Sequence, residues 1–173
     1  MKRLYVVTHG IAETDKPDPS LTAKGALGME NVKKIIRVER FDLIIVGIGR
    51  RHIQTFEFLF AWRCGVKPGI EKSELVGVRE AISSDRKTMI FSDGRKMTVE
   101  GYARTIYPKL QRELSSLIRL ILKRKGEKTL IIGGRIVPHT LGIENLTSGA
   151  LYVFNKKLEL EKLLVKGVSY LNR

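Results

Sequence analysis

The sequence has 173 residues, of which 43% are hydrophobic and 29% charged, a composition typical of a globular protein and not of a disordered tail. It contains no run of about 18 apolar residues and leads directly into a short strand, so we expect neither a membrane span nor a secretory signal. We therefore expect a cytoplasmic protein. The net charge of +14 indicates a surface that attracts polyanions, such as phosphorylated metabolites, phosphoproteins or nucleic acid.

Two further features of the composition bear on this interpretation. No basic cluster carries the interleaved aromatic residues that stack on bases, so nucleic acid stays an alternative partner and not the first expectation. Abundant Lys, Arg and Glu with few Asn, Gln and Cys is also typical of proteins from hot environments. The single cysteine, Cys64, lies between Trp62 and Gly65 and cannot form an internal disulfide, so we expect it to be a small buried residue.

The first half of the chain alternates between strands and helices. An apolar strand ends at His9 and is followed by a polar loop and by a helix that Thr22 caps and that continues to about Arg40. A second buried-type strand breaks at small residues and leads into a helix from about Arg51 to Trp62, which Gly65 is suited to cap. These strand and helix units predict parallel strands with helices packed against them.

The second half is predicted to begin irregularly and to end in a hairpin. The predicted elements are a strand near Ile70 to Val76, a turn at Ser92 to Gly94, a long helix from Thr98 that Pro108 bends or breaks, a strand over Thr129 to Ile132, and hairpin strands over Ala150 to Phe154 and Leu158 to Val165. We interpret the basic run Lys123 to Lys125 as the cationic last turn of the long helix. We expect one domain, 1–173, with a three-layer α/β/α sandwich and a mostly parallel central sheet.

Three polar or glycine-rich segments follow buried strands, where ligands of open α/β sheets bind. They begin at His9, Arg51 and Gly133. The sequence Gly47-Ile48-Gly49 also suggests a dinucleotide-binding turn, but the third glycine and the acidic residue of that motif are missing, which disfavours it. Three scattered histidines and one cysteine do not form a metal site, so we expect neither a metal nor a cofactor.

Five short motifs in this order resemble the histidine phosphatase superfamily, also called phosphoglycerate mutase-like. They are the strand ending in Thr8-His9-Gly10, Leu21-Thr22-x-Lys24-Gly25, Phe41-Asp42-Leu43-Ile44, Arg51-x-x-Gln54-Thr55, and Tyr102-Ala103-Arg104 within the long helix. The strand Leu130-Ile131-Ile132 before a glycine turn also corresponds to that family. The similarity covers nearly the whole chain.

The resemblance implies a phosphoryl-transfer site. His9 would be the nucleophile that forms a phosphohistidine, and Arg51 would clamp two phosphate oxygens in a fork. The acid would lie in the Glu74 to Glu80 stretch, with Glu80 favoured because Val78-Arg79-Glu80 resembles the family's Leu-x-Glu and Glu74 second. Thr8 and Gly10 would complete the phosphate site.

The sequence departs from the family at two positions. Thr8 stands where the family has an arginine, and Gly134 stands where it has a second histidine. Each missing group would donate a charged hydrogen bond worth roughly 1.5–3 kcal/mol. Removing one such donor from a transition state can cost on the order of a hundred-fold in rate.

Replacements for these two groups are available in the sequence. Gly133-Gly134-Arg135 at a strand-to-helix turn would form a backbone nest that binds an anion. The cations that can serve as a second phosphate ligand are Arg135, Arg50, Arg79 and Arg104. His139 can stand in for the lost imidazole, although a solvated helix position is the commoner fate of such a residue. We expect His52 to lie at the surface.

Two functions remain open at this point. The first is a phosphohydrolase of weak turnover that acts through His9 on a small phosphate ester or a phosphoprotein. The second is a module that has lost catalysis and binds a phosphorylated partner or nucleic acid. The identities of Thr8 and Gly134 are what separate the two.

Overall fold

A six-stranded sheet with helices on both faces forms the centre of the computed structural model, which describes residues 2–61 and 69–169. The elements in chain order are β1 (Arg3–Thr8), α1 (Ala23–Leu27), α2 (Glu30–Val38), β2 (Leu43–Gly47), α3 (Arg50–Phe60), β3 (Gly69–Ser73), β4 (Ala81–Ile82), β5 (Thr88–Ile90), β6 (Lys96–Thr98), α4 (Val99–Thr105), α5 (Tyr107–Lys123), β7 (Lys128–Gly133), α6 (Ile136–Thr140), β8 (Thr147–Ser148), β9 (Leu151–Asn155), β10 (Leu160–Val165) and β11 (Val168–Ser169).

The strand order of the central sheet is β10, β9, β1, β7, β2, β3. The last four of these strands run parallel to one another, whereas β9 and β10 are antiparallel and form one edge. The mostly parallel three-layer sandwich is therefore confirmed. Because β1, β7 and β2 are adjacent and parallel, the segments that follow them meet at one edge of the sheet.

Alternate side chains of β1 build a hydrophobic core on each face of this sheet. Tyr5 and Val7 pack with α2 and α3 on one face, while Leu4 and Val6 pack with α5 and α6 on the other. Both faces of β1 are covered, so its apolar residues form a continuous run and do not alternate with polar ones. The strand end is thereby held between two packed layers.

The helix predicted after Thr22 is two helices. The Thr22 side chain accepts a hydrogen bond from the Gly25 amide, which confirms the cap, but α1 ends at Leu27 and α2 begins at Glu30. Gly28 is the C-cap of α1, and its amide donates to carbonyls of that helix. A glycine here costs about 1 kcal/mol of helix propensity relative to Ala, which explains why one continuous helix does not form.

The segment between α3 and the long helix is more ordered than we predicted. A strand does form at Gly69–Ser73, and the turn at Ser92 to Gly94 is present, with the Gly94 amide donating to the Phe91 carbonyl. The prediction of otherwise irregular chain is wrong, because β4, β5 and β6 form a small antiparallel sheet. Its strands of two or three residues are too short to give a periodic signal.

The break in the long helix and the hairpin near the end of the chain are both present. The long helix breaks at Ile106, just before Pro108, and Thr98 caps α4. The hairpin of β9 and β10 is confirmed. The expectations for Trp62, Cys64 and Gly65 fall outside the described residues. None of the helices in residues 2–61 and 69–169 has the length and apolar character that crossing a bilayer requires.

Candidate active site

His9 lies at the carboxyl end of β1, beside the end of β7. Its backbone amide donates to the Gly133 carbonyl at 3.1 Å, which extends the β1 and β7 pairing by one residue. Its ring Nδ1 is 2.7 Å from the Gly10 carbonyl oxygen. A carbonyl can only accept a hydrogen bond, so Nδ1 carries the proton and the neutral ring has its lone pair on Nε2. This is the tautomer that a histidine nucleophile acting through Nε2 requires.

Gly10 allows the chain to pass close to α1. A Cβ atom at position 10 would lie 2.4 Å from the Gly25 carbonyl oxygen, and one at position 25 would lie 2.1 Å from the Ile11 carbonyl oxygen. Both contacts are with backbone, which cannot move aside as a flexible side chain does. The glycines of two of the sequence motifs are therefore required by the same close approach, which fixes the segment after His9.

Arg51 lies in the first turn of α3 and is only 8% exposed. One of its terminal nitrogens, Nη2, donates to the Val78 carbonyl at 3.1 Å and to the Glu80 carbonyl at 2.9 Å. The guanidinium therefore holds the segment 78–80 against the start of α3. A second residue of the helix, Gln54, accepts from the Leu21 amide at 2.6 Å and ties in the segment before α1.

Glu80 is the half-buried carboxylate of this segment. Its Oε2 is buried and has no hydrogen-bond partner among the described residues. Burial raises the pKa of Glu80, against lowering contributions from its own backbone amide and from Arg51. Tyr102 is buried nearby, where desolvation and then the negative charge of Glu80 raise its pKa to about 12. Glu74, the second candidate for the acid, is exposed.

His52 is fully buried, and our expectation that it lies at the surface is wrong. Its ring meets the His9 ring edge to face, with 5.0 Å between the ring centroids. Neither ring nitrogen has a hydrogen-bond partner in the part of the chain that the structure describes. Leaving a buried polar atom unpaired costs about 1–3 kcal/mol. Burial and then the charge of Arg51 hold the pKa of His52 well below its usual value, so the ring is neutral.

Glycines make the room that the His52 ring occupies. Cβ atoms at positions 47, 49 and 77 would lie 2.9, 2.9 and 2.7 Å from ring atoms, and one at Gly134 would lie 3.7 Å from Nε2. The glycines at 47 and 49 are thus explained by packing against this ring and against the segment 76–78, not by a dinucleotide. The sequence did contain a signal for this burial, because His52, Thr55 and Leu59 lie on one face of α3 and all three are buried.

The architecture was compared with solved structures, and several match over nearly their full lengths. YhfR from Bacillus stearothermophilus has a TM-score of 0.69 at 16% identity and covers 97% of this chain and 98% of its own. The alpha-ribazole phosphatase from Shigella flexneri has a TM-score of 0.65 at 13% identity over 96% and 98%. The protein histidine phosphatase SixA complexed with tungstate has a TM-score of 0.59 at 14% identity over 98% of each chain.

This chain has the histidine phosphatase fold. Searches against protein-family models and curated protein sequences find no match, so the similarity is one of three-dimensional structure. Of the motifs that suggested this fold from sequence, the first lies at the end of β1, the third leads into β2, and the others lie in or at the start of α1, α3 and α4. His9, Arg51 and Glu80 come from β1, α3 and the segment after β3, and the structure brings their surroundings together at one edge of the sheet.

Within the histidine phosphatase fold, Thr8 has a packing role here. Its side chain is fully buried, its hydroxyl donates to the Thr147 carbonyl at 2.8 Å, and it accepts from the Ala150 amide at 2.9 Å. A hydroxyl has one proton to donate, so that proton is not available to a phosphate oxygen. The Thr8 side chain is thus committed to the fold, and the expectation that Thr8 belongs to a phosphate site stays a prediction.

One amide of the candidate nest in the turn after β7 is used within the fold. The Gly134 amide donates to the Val76 carbonyl at 2.8 Å, so this N–H is used within the fold. A Cβ at Gly133 would lie 2.2 Å from that same carbonyl oxygen, which shows how closely the two segments approach. Arg135 is exposed, and its charge opposes the burial that raises the pKa of the nearby Tyr107.

Two of the other alternative ligands, His139 and Arg104, are exposed and contact helical neighbours. His139 is exposed on α6, as the simpler interpretation predicted, and its Nδ1 contacts the Tyr107 hydroxyl at 3.0 Å and the Gln111 amide at 2.9 Å. Arg104 pairs with Glu100 at 2.6 Å on the exposed face of α4. Over residues 2–61 and 69–169, no three His, Cys, Asp or Glu side chains are arranged to hold a metal ion.

Loop residues close the rim of the site beside Arg51. The Asp18 carboxylate accepts from the Arg50 amide at 2.6 Å at the start of α3, and the Asp18 amide donates to the Arg79 carbonyl at 2.9 Å. Asp15 accepts from the Ser84 amide at 2.9 Å, and this hydrogen bond is the largest cause of the lowered pKa of Asp15. The polar loop after His9 is therefore fastened to both α3 and the segment that carries Glu80.

Proposed function

We propose that this protein is a phosphohydrolase that transfers a phosphoryl group to Nε2 of His9 and then to water. The observation that carries the proposal is the His9 tautomer, in which the Gly10 carbonyl holds the Nδ1 proton and directs the lone pair to Nε2. The substrate class is a small phosphate ester or a phosphorylated protein side chain. The net charge of +14 favours the approach of either.

In the first step the His9 Nε2 lone pair attacks phosphorus, and the bond between phosphorus and the leaving oxygen breaks with its electron pair on that oxygen. Glu80 donates its proton to the leaving oxygen, for which its raised pKa suits it. Arg51 contributes positive charge beside the phosphoryl oxygens and holds the backbone of the acid in place. The product is an alcohol or protein hydroxyl and a phosphohistidine.

In the second step water attacks the phosphohistidine. The ionised Glu80 accepts a proton from that water, the bond between phosphorus and Nε2 breaks, and the electron pair returns to the ring. Inorganic phosphate leaves and both residues regain their starting states. No cofactor is needed to balance either step.

Turnover should be slow, because two donors that the family resemblance implies are replaced. Thr8 directs its hydroxyl proton to Thr147, and Gly134 has no side chain. The loss of one transition-state donor typically costs 10²–10³-fold in rate. The same observation favours the alternative function, a module that binds a phosphorylated ligand or another polyanion without hydrolysing it.

Hydrolysis of p-nitrophenyl phosphate by the wild type and by His9→Ala tests the proposal. We expect slow release of nitrophenol that falls at least about 10³-fold in His9→Ala, since the covalent step is lost. Rapid quench with ³²P-labelled substrate should trap an alkali-stable, acid-labile label on the wild type alone. His139→Ala is the matched control, because it removes an exposed histidine outside the proposed site.

The outcomes separate the two functions. Release that survives His9→Ala would rule out His9 as the nucleophile. Binding of phosphate or tungstate without any release from p-nitrophenyl phosphate, phosphoserine or phosphohistidine would leave the binding module as the better description. An interaction with nucleic acid that disappears at modest salt would reflect only the general positive charge.

A further inference from the structure

His52 is a buried group that the proposed mechanism does not use. The ring is fully buried, lies 5.0 Å from the His9 ring between centroids, and has two nitrogens without partners among the described residues. Buried imidazoles in native structures are nearly always hydrogen-bonded, and an exception calls for an explanation such as a catalytic or ligand-binding role. The position beside His9 indicates which role.

The surroundings of His52 show that the fold accommodates this ring specifically. Gly47, Gly49 and Gly77 come so close to it that any side chain at these positions would collide with ring atoms at 2.9 Å or less. An apolar residue at position 52 would fill the same space without two unpaired nitrogens, so packing alone does not explain a histidine. The two nitrogens themselves must have a use.

We propose that Nε2 of His52 is a second imidazole ligand of the phosphoryl group held at His9. Nε2 is the ring nitrogen on the side of Gly134. The preceding residue, Gly133, accepts a hydrogen bond from the His9 amide through its carbonyl. An N–H at this nitrogen can donate to an equatorial phosphoryl oxygen, and His52 is thereby a catalytic residue in addition to His9. This inference rests on the proposed function.

The anion must enter between the two rings, because the His52 ring has no exposed surface. His9 is partly exposed and lies over this ring, so a small rotation of His9 on binding opens the contact. Arg51, the preceding residue on α3, is close enough for its charge to lower the pKa of His52. A dianion held there would have two imidazoles and one guanidinium around it, which replaces donors absent at Thr8 and Gly134.

Imidazole NMR on the wild-type protein tests the contact directly. Tungstate titrated into ¹⁵N-labelled protein should shift the Nε2 and attached proton signals of His52 together with those of His9, and leave those of His139 unchanged. Saturable shifts of His9 without any shift of His52 would overturn the inference while leaving the proposed function intact. The absence of any binding would overturn both. The measurement needs no variant, so it does not depend on how a variant folds.

Substitutions at position 52 test the role in turnover. His52→Leu keeps much of the ring's volume and removes both nitrogens, and we expect tungstate affinity to fall about 10- to 100-fold and kcat for p-nitrophenyl phosphate to fall at least as far. His52→Gln retains an N–H near Nε2 and should recover part of the loss. Thermal unfolding of each variant identifies any that fail to fold.

The most specific test is a double variant that moves the imidazole from position 52 to position 134, just after β7. Among the described residues, a Cβ at Gly134 would meet only Nε2 of His52, at an ordinary contact distance of 3.7 Å. In the double variant His52→Ala, Gly134→His, the space left by one ring can receive the other, and we expect kcat at least ten-fold above that of His52→Ala alone. No recovery in a double variant that folds and binds tungstate like His52→Ala would contradict the inference, as would wild-type kcat in His52→Leu. If kcat still depended fully on His9, either result would leave the proposed function intact.

Discussion

The charged and polar groups at the two ends of the central sheet differ in how fully they are hydrogen-bonded. At the amino end, Lys2 donates to the Leu122 and Arg124 carbonyls at 2.7 Å each, and the Asp42 carboxylate accepts from the Glu127 and Lys128 amides at 2.7 and 3.0 Å. A cleft of about 180 Å³ lies there, lined by residues that already bond to one another. The charged side chains at this end therefore stabilise the fold through hydrogen bonds to the backbone.

At the carboxyl end, some buried polar side-chain atoms have no hydrogen-bond partner among the described residues. His52 and Glu80 both carry buried atoms without a partner, and both adjoin Arg51. Burial shifts the two pKa values in opposite directions, upward for the acid and downward for the imidazole, so both groups favour their neutral forms. Strongly perturbed groups that cluster in this way are typical of functional sites. The comparison supports placing the proposed chemistry at this end, although a cleft is present at the other.

After His9→Ala, Glu80→Gln should have the largest effect at the carboxyl end. We expect kcat to fall 10²–10⁴-fold, because glutamine cannot protonate the leaving oxygen. The wild-type rate should decline as pH rises through the raised pKa of Glu80, and the variant should lack this decline. A pH profile of kcat measures both. A variant that keeps the wild-type rate and profile would remove Glu80 from the mechanism.

The same substitution should raise stability. The pKa of Glu80 is higher in the folded state than in the unfolded state, so the folded protein binds more protons and the free energy of unfolding falls as pH rises above about 4.3. Glutamine cannot ionise, so Glu80→Gln should be more stable than the wild type at pH 7 and should lose this advantage below pH 4. Urea unfolding at the two pH values measures the difference.

Arg51→Lys should have the next largest effect. The guanidinium donates from one nitrogen to the Val78 and Glu80 carbonyls, a geometry that a single ammonium cannot reproduce while it also contacts a phosphoryl group. We expect kcat/KM to fall about 10²-fold. The exposed Arg104, paired with Glu100, provides the matched control, and Arg104→Lys should keep the wild-type value. An equal loss in both variants would point to general charge and not to a defined site.

Sequence patterns were sufficient for the parts of the molecule that have strong periodicity or simple local rules. The apolar runs of β1, β2 and β7, the Thr22 and Thr98 caps and the break before Pro108 all follow from local chemistry. The sheet of β4 to β6 was missed because its strands contain at most three residues. Such strands depend on pairing between segments, which a local pattern does not reveal.

The site illustrates the same limit at the level of single residues. His9 and Arg51 could be found because they follow strands, and Glu80 because of a short motif. The burial of His52 depends on three glycines from two separate segments, and the packing role of Thr8 depends on a hydrogen bond to Thr147, 139 residues away. Contacts this distant are set by the packing of the whole sheet, so residue type and spacing did not predict them.

Asp42→Ala tests the amino end and should have the smallest effect of the three substitutions. Its carboxylate accepts two backbone hydrogen bonds but is largely exposed, so we expect the free energy of unfolding at pH 7 to fall by only about 1 kcal/mol. The Lys128 amide and then the Glu127 amide lower the pKa of Asp42, so this stabilisation is present above about pH 4 and is lost as pH falls through the lowered pKa. Urea unfolding should therefore show the wild type and the variant converging in acid, with Asp42→Asn intermediate at pH 7 because its amide oxygen still accepts.

Since Asp42 lies at the opposite end of the sheet from His9, kcat/KM should be unchanged in Asp42→Ala. A ten-fold loss of activity in a folded variant would mean that the two ends of the sheet are not functionally separate.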